Sequence, residues 1–440
     1  MLSGQHYIWS FVGALLGSTI TALLTPLVIK LAVDKTAKKI IHGAATQDSF
    51  VAYLNQFENI PLTLLADILR RATRGKALLK PVENMRLPNE FDTLHFNPVK
   101  TVGQMSREEP RVNTAVTIGA GARRPLYLDM PLLLASPLGK EHYSPMVKEA
   151  FLQAAGIGDH ALFVNRDWFH NARPGPARGM IWQLAAGETL AELPLAQAGL
   201  AAVELTMPEP APGNMAVSQQ RRTDGRPRIQ VWQHSLVKES DLHQTIGDIK
   251  NRAGVPILVR IRTSDSLEIN LEKAIRAGAD AVVLEGAEHT GMLLPNVVGR
   301  DFGLSLPLSL ARARAYLQRQ GEPIGVIAHG RFWEPADCVK ALALGASAVI
   351  LDSVLIYGML ADQITKAIPW FPIESLLQEG SKRANKLDVE RAALNIGNLL
   401  TAFREEIIIA AHALGKIALA DLNTADVYTP DPLLQGLLHV

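Results

Sequence analysis

Residues 324–351 read IGVIAHGRFWEPADCVKALALGASAVIL. Two short apolar runs, Ile324–Ala328 and Ala348–Leu351, flank Pro335–Leu344, where apolar residues recur at helical spacing. A strand, a crossover helix and a second strand of this kind make a parallel βαβ unit. Its strands read as near-continuous apolar runs because helices cover both faces of the sheet. Upstream the pattern repeats: Ile257–Ile261 and Ala281–Leu284 flank Leu267–Ala277, and Asp241–Ala253 precedes them. Less regular strand candidates lie at Leu132–Ser136, Ala161–Asn165, Met180–Leu184 and Ala202–Leu205, with helix-like stretches at Ser144–Ala155 and Leu308–Arg319. Eight such strands predict an α/β protein built on a closed (β/α)8 TIM barrel, an open parallel sheet being the alternative.

The remaining chain divides around that barrel. The 440 residues leave room for one barrel at 126–372, a cap or linker region at 36–125 and a C-terminal helical extension at 373–440. Within the extension, Asn395–Leu414 is mostly apolar and is expected to pack back on the barrel or on a partner. The loop Met207–Val237 is long and rich in Pro, Gly, Arg and Gln, and long βα loops in barrels usually carry function. With 44 basic and 43 acidic residues the net charge is +1, which argues against a nucleic-acid partner. A single cysteine, Cys338, excludes an internal disulfide, a Cys-ligated zinc site and an iron–sulfur cluster built from this chain alone.

No charge interrupts Tyr7–Ile29, and Ile8–Ile29 is long enough to cross a bilayer as one helix. Lys30, Lys35, Lys38 and Lys39 follow it, so the positive-inside rule puts the N-terminus outside and the bulk of the chain in the cytoplasm. Residues 1–35 are therefore expected to be a single-pass transmembrane anchor in membrane lipid. The rival, a cleaved signal peptide, wants a basic start and a shorter apolar stretch. Gly13 and Gly17 form a G-x-x-x-G with Thr21 on the same face, which suits a partner transmembrane helix in a membrane complex or homo-oligomer.

In a barrel, chemistry sits just past the C-terminal ends of the strands. After the seventh run come His329-Gly330-Arg331, and after the eighth Asp352-Ser353. A glycine there lets backbone N–H groups approach a phosphate, and Arg331 adds a bidentate cation; an ordinary βα turn is the alternative reading. Asp352 counts against phosphate, because a carboxylate beside it repels. After the sixth run, Glu285-Gly286-Ala287-Glu288-His289-Thr290-Gly291 makes Glu285 and His289 candidates for acid–base work, and no second histidine lies at metal-ligand spacing. Arg260 on the fifth run is flanked by apolar residues. It points into or over the barrel, where it needs an anion such as a phosphate, Glu204 or Glu285. Gln183 after the third run is a hydrogen-bond donor for a planar ligand. Arg260, Glu285 and His289 are thus the catalytic candidates, with no metal site.

Taken in order, several segments between about Arg111 and Leu360 resemble the FMN-binding glutamate-synthase-like family. This family comprises the central barrel of the glutamate synthase large subunit and its stand-alone relatives. The segments are Ala115–Gly119 with Arg124-Pro125-Leu126, Pro131–Ser136, Trp182–Gly187, Glu204 with Pro212-Gly213, Val255–Arg260, Ala279–Gly286 with Thr290-Gly291, and Gly330-Arg331 with Asp337–Ala348. The resemblance implies FMN at the barrel mouth, held by Ser136, Gln183, Arg260, Gly330, Arg331 and Ser353. In that reading Arg260 faces the electron-rich edge of the flavin, Gln183 the ring, and Gly330, Arg331 and Ser353 the phosphate.

The sequence also departs from the family. The cysteine triplet expected after Tyr357 is missing, which implies no iron–sulfur cluster. The glycine-rich loop after the second run is Asn165–His170, and the lysine of the fifth is Arg260. Two family glycine pairs read Glu288-His289 and His329-Gly330. A larger side chain where a ligand needs close backbone approach closes a site. Two readings follow. One is a divergent, membrane-anchored and ancestrally FMN-dependent oxidoreductase, degenerate at its active site. The other is a non-catalytic structural or accessory subunit of a membrane complex, its barrel kept as a cytoplasmic interaction module.

Overall fold

The computed structural model describes residues 62–77, 89–97, 99, 111–135, 143–166, 168, 179–184, 199–207, 242–286, 303–322, 324–363, 376–377, 379–381 and 383–438. All eight expected runs are strands. In chain order they are β1 (Leu132–Leu134), β2 (Leu162–Val164), β3 (Met180–Gln183), β4 (Leu200–Thr206), β5 (Ile257–Arg262), β6 (Ala281–Glu285), β7 (Gly325–His329) and β8 (Ala348–Leu351). Each pairs in parallel with its neighbours, and β8 returns to β1 through Val349↔Leu132 and Leu351↔Leu134. That last pairing closes the sheet into a barrel and disposes of the open-sheet alternative.

The helices are α1 (Leu62–Arg74), α2 (Pro145–Gly158), α3 (Leu242–Ala253), α4 (Leu267–Ala277), α5 (Leu306–Gln320), α6 (Pro335–Ala343), α7 (Ser353–Met359), α8 (Val389–Ala413) and α9 (Pro432–Leu438). Their starts follow side-chain chemistry. Ser144 accepts from the backbone N–H of Val147 ahead of α2, and Asp388 accepts from that of Arg391 ahead of α8. Gly278, in the left-handed region at φ +94°, ends α4.

The period-two alternation of a strand divides the core in two. Leu132, Leu134, Val259, Ile261, Val282 and Leu284 face outward and pack under the helices. Leu133, Phe163, Ile181, Leu258, Val283, Ile327 and Ile350 fill the barrel interior. The N-terminal end of the barrel carries a hairpin that the apolar pattern did not predict. Val116–Ile118 pairs antiparallel with Leu126–Leu128, and Ile118, Leu126 and Leu128 join the interior cluster as a floor. Two arginines in its turn hold it down by donating to the carbonyls that α3 leaves unpaired at its C-terminus. Arg123 Nη2 bonds Asn251 O at 2.7 Å, and Arg124 Nη2 bonds Ala253 O at 2.8 Å. Gly119 sits in this turn at φ +66°, and a Cβ there would lie 2.7 Å from the Pro256 ring, so only glycine serves.

Described elements that precede and follow the barrel strands meet on its outside. As expected for Asn395–Leu414, α8 packs back on the barrel, against α1, α2, α6 and α7. Arg71 of α1 donates to both carboxylate oxygens of Glu406 at 2.8 and 2.9 Å, and its guanidinium lies 5.9 Å from the centre of the Phe403 ring. Further along, His95–Phe96 pairs antiparallel with Val427–Tyr428.

The membrane placement expected from the sequence is corrected here. Among the described residues no helix is long and apolar enough to cross a membrane. The longest of them, the 25-residue α8, carries Glu390, Arg391, Arg404, Glu405 and Glu406, and its apolar side is spent on neighbouring helices. The run 8–29 on which a single-pass anchor with a cytoplasmic domain was placed lies outside the described residues, as do Gly13, Gly17 and Thr21.

His160, between α2 and β2, gives the fold a pH dependence. Burial, and then the charge of Arg404, hold its pKa below the ordinary 6.5. The unfolded chain therefore binds this proton more readily than the folded one. The associated stability is complete above the unfolded value and is lost as pH falls through it towards the folded value. Urea midpoints are expected to drop between about pH 7 and pH 5, and by less in His160→Gln. An identical drop in the variant would remove His160 as the cause.

Candidate active site

The same alternation that fills the barrel with apolar side chains sets one polar layer at its C-terminal mouth. Interior positions continue from Ile181 to Gln183, from Ala202 to Glu204, from Leu258 to Arg260, from Val283 to Glu285, from Ile327 to His329 and from Ile350 to Asp352. The last five of these polar residues are between 0% and 4% exposed. Charged groups so thoroughly removed from water must satisfy one another.

Arg260 is the hub. Its Nε donates to Glu204 Oε1 at 3.0 Å and its Nη2 to Glu204 Oε2 at 2.8 Å, a two-pronged pair. Gln183 Nε2 donates to the same Glu204 Oε1 at 2.9 Å. On the other side, Arg260 Nη1 lies 2.5 Å from His329 Nδ1 and 3.8 Å from Glu285 Oε1. His329 Nε2 is 3.5 Å from Asp352 Oδ2, and Asp352 Oδ1 accepts from the backbone N–H of Ser353. Burial works against the arginine's charge. Glu204, Glu285 and Asp352 outweigh it and hold the Arg260 pKa above its ordinary value. A connected set of side chains therefore crosses the barrel from β3 to the start of α7.

Of the residues singled out from the sequence, Gln183, Arg260 and Glu285 come together in this layer. Gly330 is buried just beyond it, and Arg331 and Ser353 are half-buried at the rim. A Cβ on Gly330 would lie 2.6 Å from Leu306 Cδ2, the end of a side chain of α5 that would have to shift. Ser136 and His289 lie outside the described residues. His329 and Asp352 are the members that sequence reasoning left in loops. The signal was present: each stands two residues past an interior isoleucine, on the same face of its strand. Among the described residues no cluster of His, Cys, Asp and Glu is suited to a metal ion.

Residues 227–416 match the family model described as "Conserved region in glutamate synthase". The match takes in β5 through α8, and with them Arg260, Glu285, His329 and Asp352, but not Gln183 or Glu204. The archaeal glutamate synthase [NADPH] of Archaeoglobus fulgidus is 26% identical over 195 residues, 43% of this chain and 38% of that protein. The archaeal-type glutamate synthase [NADPH] of Dehalococcoides mccartyi is 26% identical over 199 residues, 43% of this chain and 39% of that protein. The aligned part thus spans under two fifths of the length of either relative, at 38% and 39%. An arginine-to-lysine variant of flavocytochrome b2 superposes with a TM-score of 0.50 at 16% identity, covering 79% of this chain and 78% of that one. An oxidized active mutant of (S)-mandelate dehydrogenase gives 0.50 at 17% identity, covering 84% and 100%. At such identities the structural likeness is one of fold. The chain contains a glutamate-synthase-like barrel, and its fold neighbours include oxidoreductases.

Proposed function

We propose that this barrel has left flavin oxidoreduction and serves as a non-catalytic accessory module. The observation that carries the reading is the buried layer Gln183–Glu204–Arg260–His329–Asp352, whose side chains engage one another at the place where the resemblance puts FMN. The residues present do not fit that group. Arg260, assigned to the electron-rich edge of a flavin, already has Glu204 on two of its nitrogens and His329 on the third. The N–H of Ser353, assigned to the phosphate, donates instead to the carboxylate of Asp352, whose charge opposes a phosphate in the same place. Of the other two residues assigned to the phosphate, Gly330 is buried beside Leu306 and Arg331 is half-buried at the rim.

An iron–sulfur relay is also outside the reading, since such clusters take several thiolates and the chain has one cysteine. Burial, with Asp337 adding to it, holds the Cys338 thiol well above its ordinary pKa, the opposite of what a ligand or nucleophile needs. The competing reading, a flavin-dependent oxidoreductase, draws on the match over 227–416.

One experiment separates the two. An absorption spectrum of the purified full-length protein, followed by acid release of any bound cofactor, is expected to show no flavin bands, and added FMN is expected to remain free. FMN recovered at close to one per chain would overturn the proposal and establish the oxidoreductase.

A further inference from the structure

A guanidinium has only donors, so any nitrogen that bonds it must offer a lone pair. His329 Nδ1, 2.5 Å from Arg260 Nη1, therefore carries no proton, and the ring proton sits on Nε2, which faces Asp352 Oδ2 at 3.5 Å. His329 is thus neutral whenever the Arg260 bond exists, and protonating Nδ1 removes that acceptor and sets two cationic groups against each other. We propose that the Arg260–His329–Asp352 chain is a proton-sensitive latch that holds the C-terminal mouth of the barrel closed at neutral pH and releases it on acidification.

The latch spans a large part of the ring. Arg260 brings in β5 and, through Glu204 and Gln183, β4 and β3; His329 is on β7; Asp352 follows β8. The charged groups facing His329 from the packed elements are Arg260 from β5, Glu285 from β6, its register partner, and Asp352 from beyond β8, with Glu204 of β4 behind Arg260. Asp352 and Glu285 favour a proton on the imidazole. Contact with Arg260 and complete burial of the ring oppose it. Two backbone bonds at the same level of the barrel report on its release. Gly286 N donates to His329 O at 3.0 Å, and Ala135 N donates to Leu351 O at 2.9 Å. At the opposite end, Ser347 N donates to Val326 O and has no part in the latch.

Spectra of the full chain labelled with nitrogen-15 at histidine read the tautomer directly. The expected result at about neutral pH is a neutral ring protonated at Nε2; an imidazolium or an Nδ1-protonated ring for His329 would overturn the proposal. Hydrogen exchange then tests release. Protection at Gly286 and Ala135 is expected to fall at least about tenfold on acidification, the least that losing one charge-assisted bond implies, while Ser347 stays protected. His329→Asn keeps an acceptor for Arg260 and cannot titrate, so its mouth should hold the same protection at both pH values. The same acid-induced loss in that variant would overturn the latch. If the variant does not fold, the wild-type tautomer decides.

Discussion

Arg260→Met is expected to destabilise the protein by ~3–5 kcal/mol, the cost of leaving a buried charge without its partner. The guanidinium is 4% exposed and Glu204 is 3% exposed, so water cannot take over the carboxylate when the arginine goes. Glu285, 3.8 Å from Nη1, loses its cation in the same step. Removing both members of the pair is a different matter. An Arg260→Met, Glu204→Gln double variant leaves no strong charge in the pair and keeps a hydrogen-bonding partner for Gln183. It is expected to recover about half or more of the single-variant loss. Arg260→Lys keeps the charge but not the fork, exchanging two bonds to Glu204 for one, and should cost about 1–2 kcal/mol. Urea denaturation of wild type, Arg260→Met, Glu204→Gln and the double variant closes the cycle, with Arg260→Lys measured beside them. A cost below about 1 kcal/mol for Arg260→Met would mean that water reaches the layer and that the mouth is open.

Phe163→Ala is expected to cost about 3–5 kcal/mol, towards the upper end of that range. Phe163 is 2% exposed and is the aromatic side chain of the interior cluster among the described residues. The same interior cluster holds Ala135, Ala161, Ala202, Ala281 and Ala348, small residues that cannot grow to fill its absence. A closed ring of hydrogen-bonded strands also resists collapse, so the cavity should persist. Phe163→Leu, which keeps most of the volume, should lose about 1–1.5 kcal/mol. Equal losses for Ala and Leu in urea denaturation would show that ring shape, not volume, decides the site.

What could be read from the sequence follows from where the information is local. Each barrel strand is a compact apolar run next to a helix, so periodicity alone finds it. Ala202–Leu205 grew to Leu200–Thr206 only because β4 pairs along its whole length with β3 and β5. The floor hairpin escaped notice because its strands are three residues long and its turn is dominated by glycine and arginine. The pairing of His95–Phe96 with Val427–Tyr428 has no local signal, since the partners lie at opposite ends of the chain. In the site, Arg260 announced itself as a charge on an apolar strand, and Glu285 was noticed as a carboxylate in the loop after one, although the strand includes it. His329 did not announce itself, because its strand was drawn one residue short, and Asp352, just past a strand drawn to its observed end, was taken for a turn residue. That one-residue difference separates a phosphate-binding turn from a closed polar layer. The membrane placement rested on the hydropathy of residues 8–29 and on the lysines after them, all outside the described residues.

The bond between Arg71 and Glu406 spans 335 residues of chain. At roughly 5–20 residues per second, a ribosome needs about twenty to seventy seconds to make the partner that α1 waits for. Through most of that interval Leu65, Ile68 and Ala72, all buried in the finished protein, lack α7 and α8, the helices that α1 packs on. A 13-residue helix is too short to persist alone in water. The N-terminal element is therefore among the last to dock, and the nascent chain carries an apolar segment that a chaperone can hold until α8 emerges.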